Sequence, residues 1–400
     1  MNGQALRLLV STLGISLAPA GVAIAQSPWE PTSRAIEIDA GDRLSLWLAV
    51  PSSTDADFGV RLLETALSEF LLGTLGGEVS TELSHSERGL LCGFTGRSEL
   101  VLQVNARLDR WATSPEEDFF GDTVELLRDR TLLRADDESF VLPGERLRYR
   151  LGGRASLTRD DLLRLRSMDT SEVLDELRGA LRRERTQRVA VGRAELLPFA
   201  DRSGSAFPGA DRFRGSDDQR TESFPRLNGV YHQIAFDWSA GNERERAIAA
   251  LAMAALWHGV LTTFVPRGSE YDAAFRSLER PVLSDRLLIG RRGVDSAPVS
   301  DVVEELNRFI QGFPDSPEFE MGFGLSRAST LSRWAPEVPG VGTRFGLHQQ
   351  ARILAESEIL GVPHPTSETV GEIERDDVRA FLRDRLSRPV ARWSLIPEPR

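Results

Sequence analysis

Histidine placement sets the first limit on the chemistry of this chain. Its 400 residues hold five histidines, His85, His232, His258, His348 and His364, no two of them within ten residues of each other. Two imidazoles reach one zinc ion most simply from positions i and i+4 of a helix, with an intervening glutamate to polarise the bound water. Neither His-x-x-Glu-His nor its reverse occurs in the sequence. A zinc site gathered from histidines distant in sequence stays open in principle. Glu64 and Glu69 fall on one long apolar helix, but carboxylates alone make a poor zinc site, and both read as solvated charges on the helix face. The single cysteine, Cys92, sits between Leu90-Leu91 and Gly93-Phe94 and reads as a small buried hydrophobe rather than a nucleophile. No Gly-x-Ser-x-Gly elbow, phosphate-binding Gly-Lys loop or Cys-x-x-Cys pair occurs. Gly340-x-Gly342-x-x-x-Gly346 has the wrong spacing for a dinucleotide fingerprint. Trp257-His258 reads as a core histidine against a ligand role, and His85, between Ser84 and Ser86, as a turn residue.

The elements that would position these residues follow from periodicity. Residues 44–50 alternate, with Leu44, Leu46, Leu48 and Val50 on one face, which suits an antiparallel strand covered mainly on one side. Residues 58–75 form an apolar-periodic helix that ends at Gly76-Gly77. Strands are expected near 78–83, 89–94 and 100–105, then helices near 115–131, 159–166 and 171–183, and a strand at 188–191. After residue 226 a strand at 230–238 leads into a helix at 245–264 that is apolar nearly all round. Helices at 302–311, 347–360 and 376–386 precede a last strand at 390–396.

Strand, polar turn and long apolar helix thus occur twice. Leu157-Thr158-Arg159-Asp160-Asp161-Leu162 also recurs as Ile373-Glu374-Arg375-Asp376-Asp377-Val378. Residues 200–226 are polar, turn-rich and without apolar period, so they read as a linker. Residues 1–25 read as an export signal: one charge at Arg7, an apolar run, and Ala23-Ile24-Ala25 as a small-x-small cleavage site. This predicts a secreted or periplasmic protein with no membrane insertion after cleavage near Ala25. The formal charge of -11 argues against nucleic acid, and all 49 basic residues are arginine, scattered rather than clustered.

This order resembles the M16 metallopeptidases, the insulinase, pitrilysin and processing-peptidase group, over nearly the whole chain. The residues that carry the resemblance are Gly153-x-x-x-Leu157-Thr158-x-Asp160-Asp161-Leu162 before Val189-Ala190-Val191-Gly192, and Ile373-x-x-Asp376-Asp377-Val378 with Leu382 before the strand that ends at Pro397. The resemblance implies an α+β fold of two homologous domains, each an antiparallel sheet packed with helices, that face each other as a clamshell. The boundaries would be 26–199 for the first domain, 200–226 for the linker and 227–400 for the second.

In active members the first long helix carries His-x-x-Glu-His, which residues 58–75 lack. Family members without it are non-catalytic subunits or degenerate halves. The resemblance therefore implies a chain with no metal, cofactor or catalytic residue of its own. It would pair as a heterodimer with a zinc-bearing M16 homologue and close a chamber that processes or degrades a peptide substrate. In such pairs the zinc-free chain supplies an arginine and a tyrosine to hold substrate. Here Arg267 and Tyr271 follow the corresponding helix in the right order, at a shorter interval than the family's. The plainer reading makes Arg267 a surface turn residue and Tyr271 a packing residue at a strand start. Two rivals remain: a stand-alone periplasmic peptide-binding or scaffold protein, and a peptidase with an unconventional metal site.

Overall fold

Residues Arg43–Pro51 form a strand (β2) that is buried along nearly its whole length. Around it the computed structural model builds a five-stranded sheet from Thr32–Glu37 (β1), Ser80–Ser86 (β3), Gly89–Arg97 (β4) and Gln187–Gly192 (β5). The order is β1-β5-β2-β4-β3, with β1 parallel to β5 and every other pairing antiparallel. Residues 31–51, 58–74, 78–86, 88–113, 129, 159–183, 186–202, 218–224, 227, 229–264, 276–279, 286–292, 298–334 and 344–398 are described.

One face of this sheet packs on Phe58–Thr74 (α1), Ser98–Thr113 (α2), Arg159–Ser167 (α3) and Thr170–Leu181 (α4). Leu44, Leu46, Leu48 and Val50 join Val60, Leu63 and Leu67 of α1 and Val173 and Leu177 of α4 in one apolar cluster. Full burial of each such side chain contributes about 1.5–3 kcal/mol. Asp169 caps α4: its carboxylate accepts from the Glu172 N–H at 2.9 Å, and the Glu172 carboxylate accepts from the Asp169 N–H at 2.8 Å.

The second half repeats the plan. Asp218–Phe224 (β6), Tyr231–Asp237 (β7), Arg276–Glu279 (β8), Arg286–Arg292 (β9) and Pro389–Pro397 (β10) form a sheet of order β6-β10-β7-β9-β8. This is the first order strand for strand, with β6 parallel to β10. Its helices are Glu243–Phe264 (α5), Val299–Gly312 (α6), Pro317–Trp334 (α7), Arg344–Leu360 (α8), Ser367–Glu372 (α9) and Arg375–Leu386 (α10). A Cβ on Gly322 would lie 2.7 Å from the Ala255 carbonyl oxygen, so α5 and α7 cross with their backbones nearly touching. Both halves are therefore mixed α+β.

The far face of the first sheet is covered as well, by a helix from the second half. Leu347, Ala351, Ala355 and Ile359, an i, i+4 stripe on α8, pack on Trp47, Ala49, Leu91, Val189 and Val191. This corrects the expectation of a strand covered mainly on one side: both faces of β2 are buried. The helix is held at its flanks by Arg34 Nε, 2.9 Å from Glu358, and by Arg246 of α5, 2.7 Å from the Ser357 hydroxyl.

Three further expectations change. Residues 100–105 lie in α2, because Val101, Val104, Asn105, Leu108, Trp111 and Ala112 bury a helical stripe. Strand β6 lies inside the stretch 200–226 read as linker; it is polar and exposed, which its parallel edge position allows. Finally, Ile373–Val378 opens α10, which leads into β10, whereas Arg159–Leu162 of the other copy open α3, one helix early. The helix that leads into β5 is α4, so the structural counterpart of Glu374–Asp377 is Asp169–Glu172. Acidic helix starts look alike wherever a helix begins, which is why the short repeat slipped. The helix expected at 115–131 lies outside the described residues apart from Asp129.

Candidate functional site

Helix α1 is where a family-type zinc site would have to stand. Its first ten residues are buried on every side, and three of them are polar: Arg61, Glu64 and Thr65. At i, i+3 and i+4 they share one helical face. Arg61 Nη1 lies 3.3 Å from Glu64 Oε2, and the Thr65 hydroxyl donates to the Arg61 carbonyl at 3.2 Å. Glu64 is only 8% exposed, so the reading of a solvated charge is corrected: it is one member of a buried ion pair. The Glu69 side chain lies outside the described residues. A guanidinium has five donors and no lone pair, and the threonine oxygen is engaged locally. This face does not fit a zinc ion. Among the described residues no group of three or more His, Cys, Asp or Glu could hold a metal.

A second polar cluster lies between the halves, and sequence reading missed it. The Trp47 indole N–H donates to Ser45 Oγ at 2.9 Å. Ser45 Oγ is 2.6 Å from Thr95 Oγ1, and Thr95 Oγ1 is 2.7 Å from His348 Nδ1. On the other side His348 Nε2 faces Glu82 Oε2 at 3.4 Å, and Arg352 Nη1 holds the second oxygen of Glu82 at 3.0 Å. One direction satisfies the whole chain: indole to Ser45, Ser45 to Thr95, Thr95 to Nδ1, and Nε2–H toward the carboxylate. Hydroxyl, imidazole and carboxylate stand here in the order of a hydrolytic triad. Ser45 and Thr95 are completely buried, however, so no substrate reaches either hydroxyl. The cluster pins α8 to β2, β3 and β4. The only signal in the sequence was hydroxyl residues at strand positions otherwise apolar.

The other singled-out residues scatter. Arg267 and Tyr271 lie outside the described residues. Cys92 is fully buried, and burial, with the Glu82 charge adding to it, pushes its thiol well above the ordinary range. It packs as a small hydrophobe. His85 lies in β3, opposite Leu90, rather than in a turn. Trp257 is 48% exposed with His258 half-buried beside it, so that pair is not a core feature. Near the start of α10 a cleft of about 730 Å³ is lined by Glu320, Glu372, Glu374 and Asp376 with Arg327 and Arg375. Both arginines in it are engaged: Arg375 lies 2.9 Å from Glu320, and Arg327 donates to the Gly371 carbonyl. Among the described residues no helix is long and apolar enough to cross a membrane.

No family model matches the sequence, and no curated protein does either. Solved structures match it over nearly its full length. A protease from Helicobacter pylori superposes with a TM-score of 0.61 at 9% identity, over 91% of this chain and 96% of that one. A peptidase M16 inactive domain from Pseudomonas fluorescens gives 0.56 at 12% identity, over 93% and 97%. The fold is that of the M16 peptidases. The periplasmic protease PqqL from Escherichia coli gives 0.58 at 12% identity, over 91% of this chain but only 44% of that one.

Proposed function

We propose that this M16-like chain is a non-catalytic subunit that pairs with a zinc-bearing homologue and completes a chamber for handling peptides. The observation that carries this reading is the polar face of α1, where Arg61 and Thr65 stand at the spacing two imidazoles would need. A fold shared with a domain described as inactive supports it. So does the coverage of PqqL: this chain accounts for less than half of it, which leaves room there for a second unit of similar size.

Peptide binding has a physical basis in the first sheet. β3 ends that sheet, and among the described residues no strand pairs with its outer edge. An extended peptide can add to such an edge through main-chain hydrogen bonds. Arg267 would take a peptide carbonyl or carboxylate, and Tyr271 would donate a hydrogen bond to the scissile carbonyl in the partner's site. Export through residues 1–25 with cleavage near Ala25, and domains at 26–199 and 227–400 with β6 added to the second, belong to the same reading.

The test is recovery of the tagged mature protein from its native compartment, with zinc measured in the eluate. Co-elution of a zinc-bearing homologue at fixed stoichiometry is the expected result. A chain recovered alone and metal-free would sink the pairing and leave a stand-alone peptide-binding protein. One zinc per isolated chain, with peptide cleavage, would instead make it a peptidase with an unconventional site.

A further inference from the structure

A buried carboxylate is costly unless a cation stands beside it. In a zinc hydrolase of the His-x-x-Glu-His type that cation is the metal, held by the two histidines around the glutamate. Helix α1 keeps a buried glutamate, and its cation comes from the same helix, three residues earlier. Arg61 and Glu64 are each more than nine-tenths buried, as is Thr65. An arginine stays charged at every accessible pH and needs no ligands, so the charge balance it provides is permanent.

We infer that the Arg61 guanidinium is a built-in substitute for the metal ion, which lets the fold retain buried Glu64 without zinc and closes this face to divalent cations. The inference rests on the non-catalytic reading above and gives it a mechanism: the metal-free helix is a charge-balanced alternative rather than a depleted site. Uncharged residues at both histidine places would have removed the metal's charge from beside Glu64 in the first core. Those places are taken instead by a cation and by a hydroxyl that bonds its own helix.

Cobalt(II), whose visible absorption reports its ligands, is the probe. The mature wild-type chain is expected to show no saturable cobalt binding. The double variant Arg61→His/Thr65→His writes His-x-x-Glu-His into α1. It should bind cobalt saturably, at least roughly 100-fold above any residual wild-type binding, because two imidazoles on one helical face replace a repelling charge. One cobalt bound per wild-type chain and lost in Glu64→Gln would overturn the inference, and so would a double variant that binds no better than wild type.

A second measurement covers variants that fold poorly. Arg61→Met should lower the urea midpoint, and Arg61→Met/Glu64→Met should recover more than half of that loss, because the stranded carboxylate is gone. Absence of recovery would also overturn the inference. Peptide cleavage by a wild-type chain that binds no metal would sink the non-catalytic reading and leave this one standing. Saturable metal binding on Glu64 would do the reverse, whatever the chain pairs with.

Discussion

His348 Nδ1, carried by α8 in the second half of the chain, lies 2.7 Å from the hydroxyl of Thr95 on β4 in the first half. The imidazole also stacks on Trp47 with ring centroids 5.1 Å apart. Thr95→Val keeps the shape and removes the relay's central hydroxyl, leaving Ser45 and His348 each short of a partner. Stability should fall by about 1–3 kcal/mol, the cost of buried polar groups left unsatisfied. Urea unfolding checks this. A double-mutant cycle with His348→Phe should show strong coupling, since the double variant no longer strands the His348 Nδ1 that Thr95→Val leaves without a donor.

Gly93 faces Trp47 across the β2–β4 register, and any Cβ there would collide with the indole ring. Gly93→Ala should therefore destabilise by about 1–3 kcal/mol through overpacking. Trp47→Leu in the same chain should recover part of the loss. Thermal midpoints of the single and double variants decide the matter.

Burial, reinforced by the nearby charge of Arg392, pushes His232 down to about 4 from an ordinary 6.5. Its Nδ1 lies 2.9 Å from Ser394 Oγ, across the β7–β10 pairing. At pH 7 the ring is neutral in the folded chain and mostly neutral in the unfolded one. As pH falls from about 6.5 to about 4 the unfolded chain takes up a proton that the folded chain refuses, so stability should drop by up to about 3 kcal/mol. Urea midpoints at pH 7 and pH 4.5 test the slope. His232→Gln should flatten it, and an unchanged slope would reject the assignment.

Asp169 holds the first turn of α4 and the entry into β5. Asp169→Ala should cost about 1 kcal/mol, the usual value of a helix cap. Asp169→Ser should restore most of it. Chemical denaturation of the three proteins makes the comparison.

How much could be read beforehand depended on whether an element announces itself through burial. β2, α1, β7, α5 and β10 carry apolar runs or stripes and were legible to within a few residues. β6 carries Asp218-Gln219-Arg220-Thr221-Glu222-Ser223, and only its pairing with β10 makes it a strand. In α2 the apolar residues Leu100, Leu102 and Val104 alternate like a strand, and the helical stripe emerges only when Leu108 and Trp111 are counted with it. Sequence reading took Glu64 for a solvated charge and gave Arg61 no role; their i, i+3 spacing allows the pair, but its burial comes from the neighbours of the helix. The relay from Trp47 to Glu82 joins residues from β2, β3, β4 and α8, and no local pattern links them.

The covering of the first sheet by α8 also governs the order in which the chain can mature. Trp47, Ala49, Leu91, Val189 and Val191 meet their apolar partners only when residues 347–359 arrive, long after the first sheet's own strands have been made. A chain made from its N-terminus leaves that apolar surface uncovered until α8 has emerged. Contacts so distant in sequence also form slowly. The first half released alone by a protease or a premature stop would be an intermediate with that apolar face uncovered.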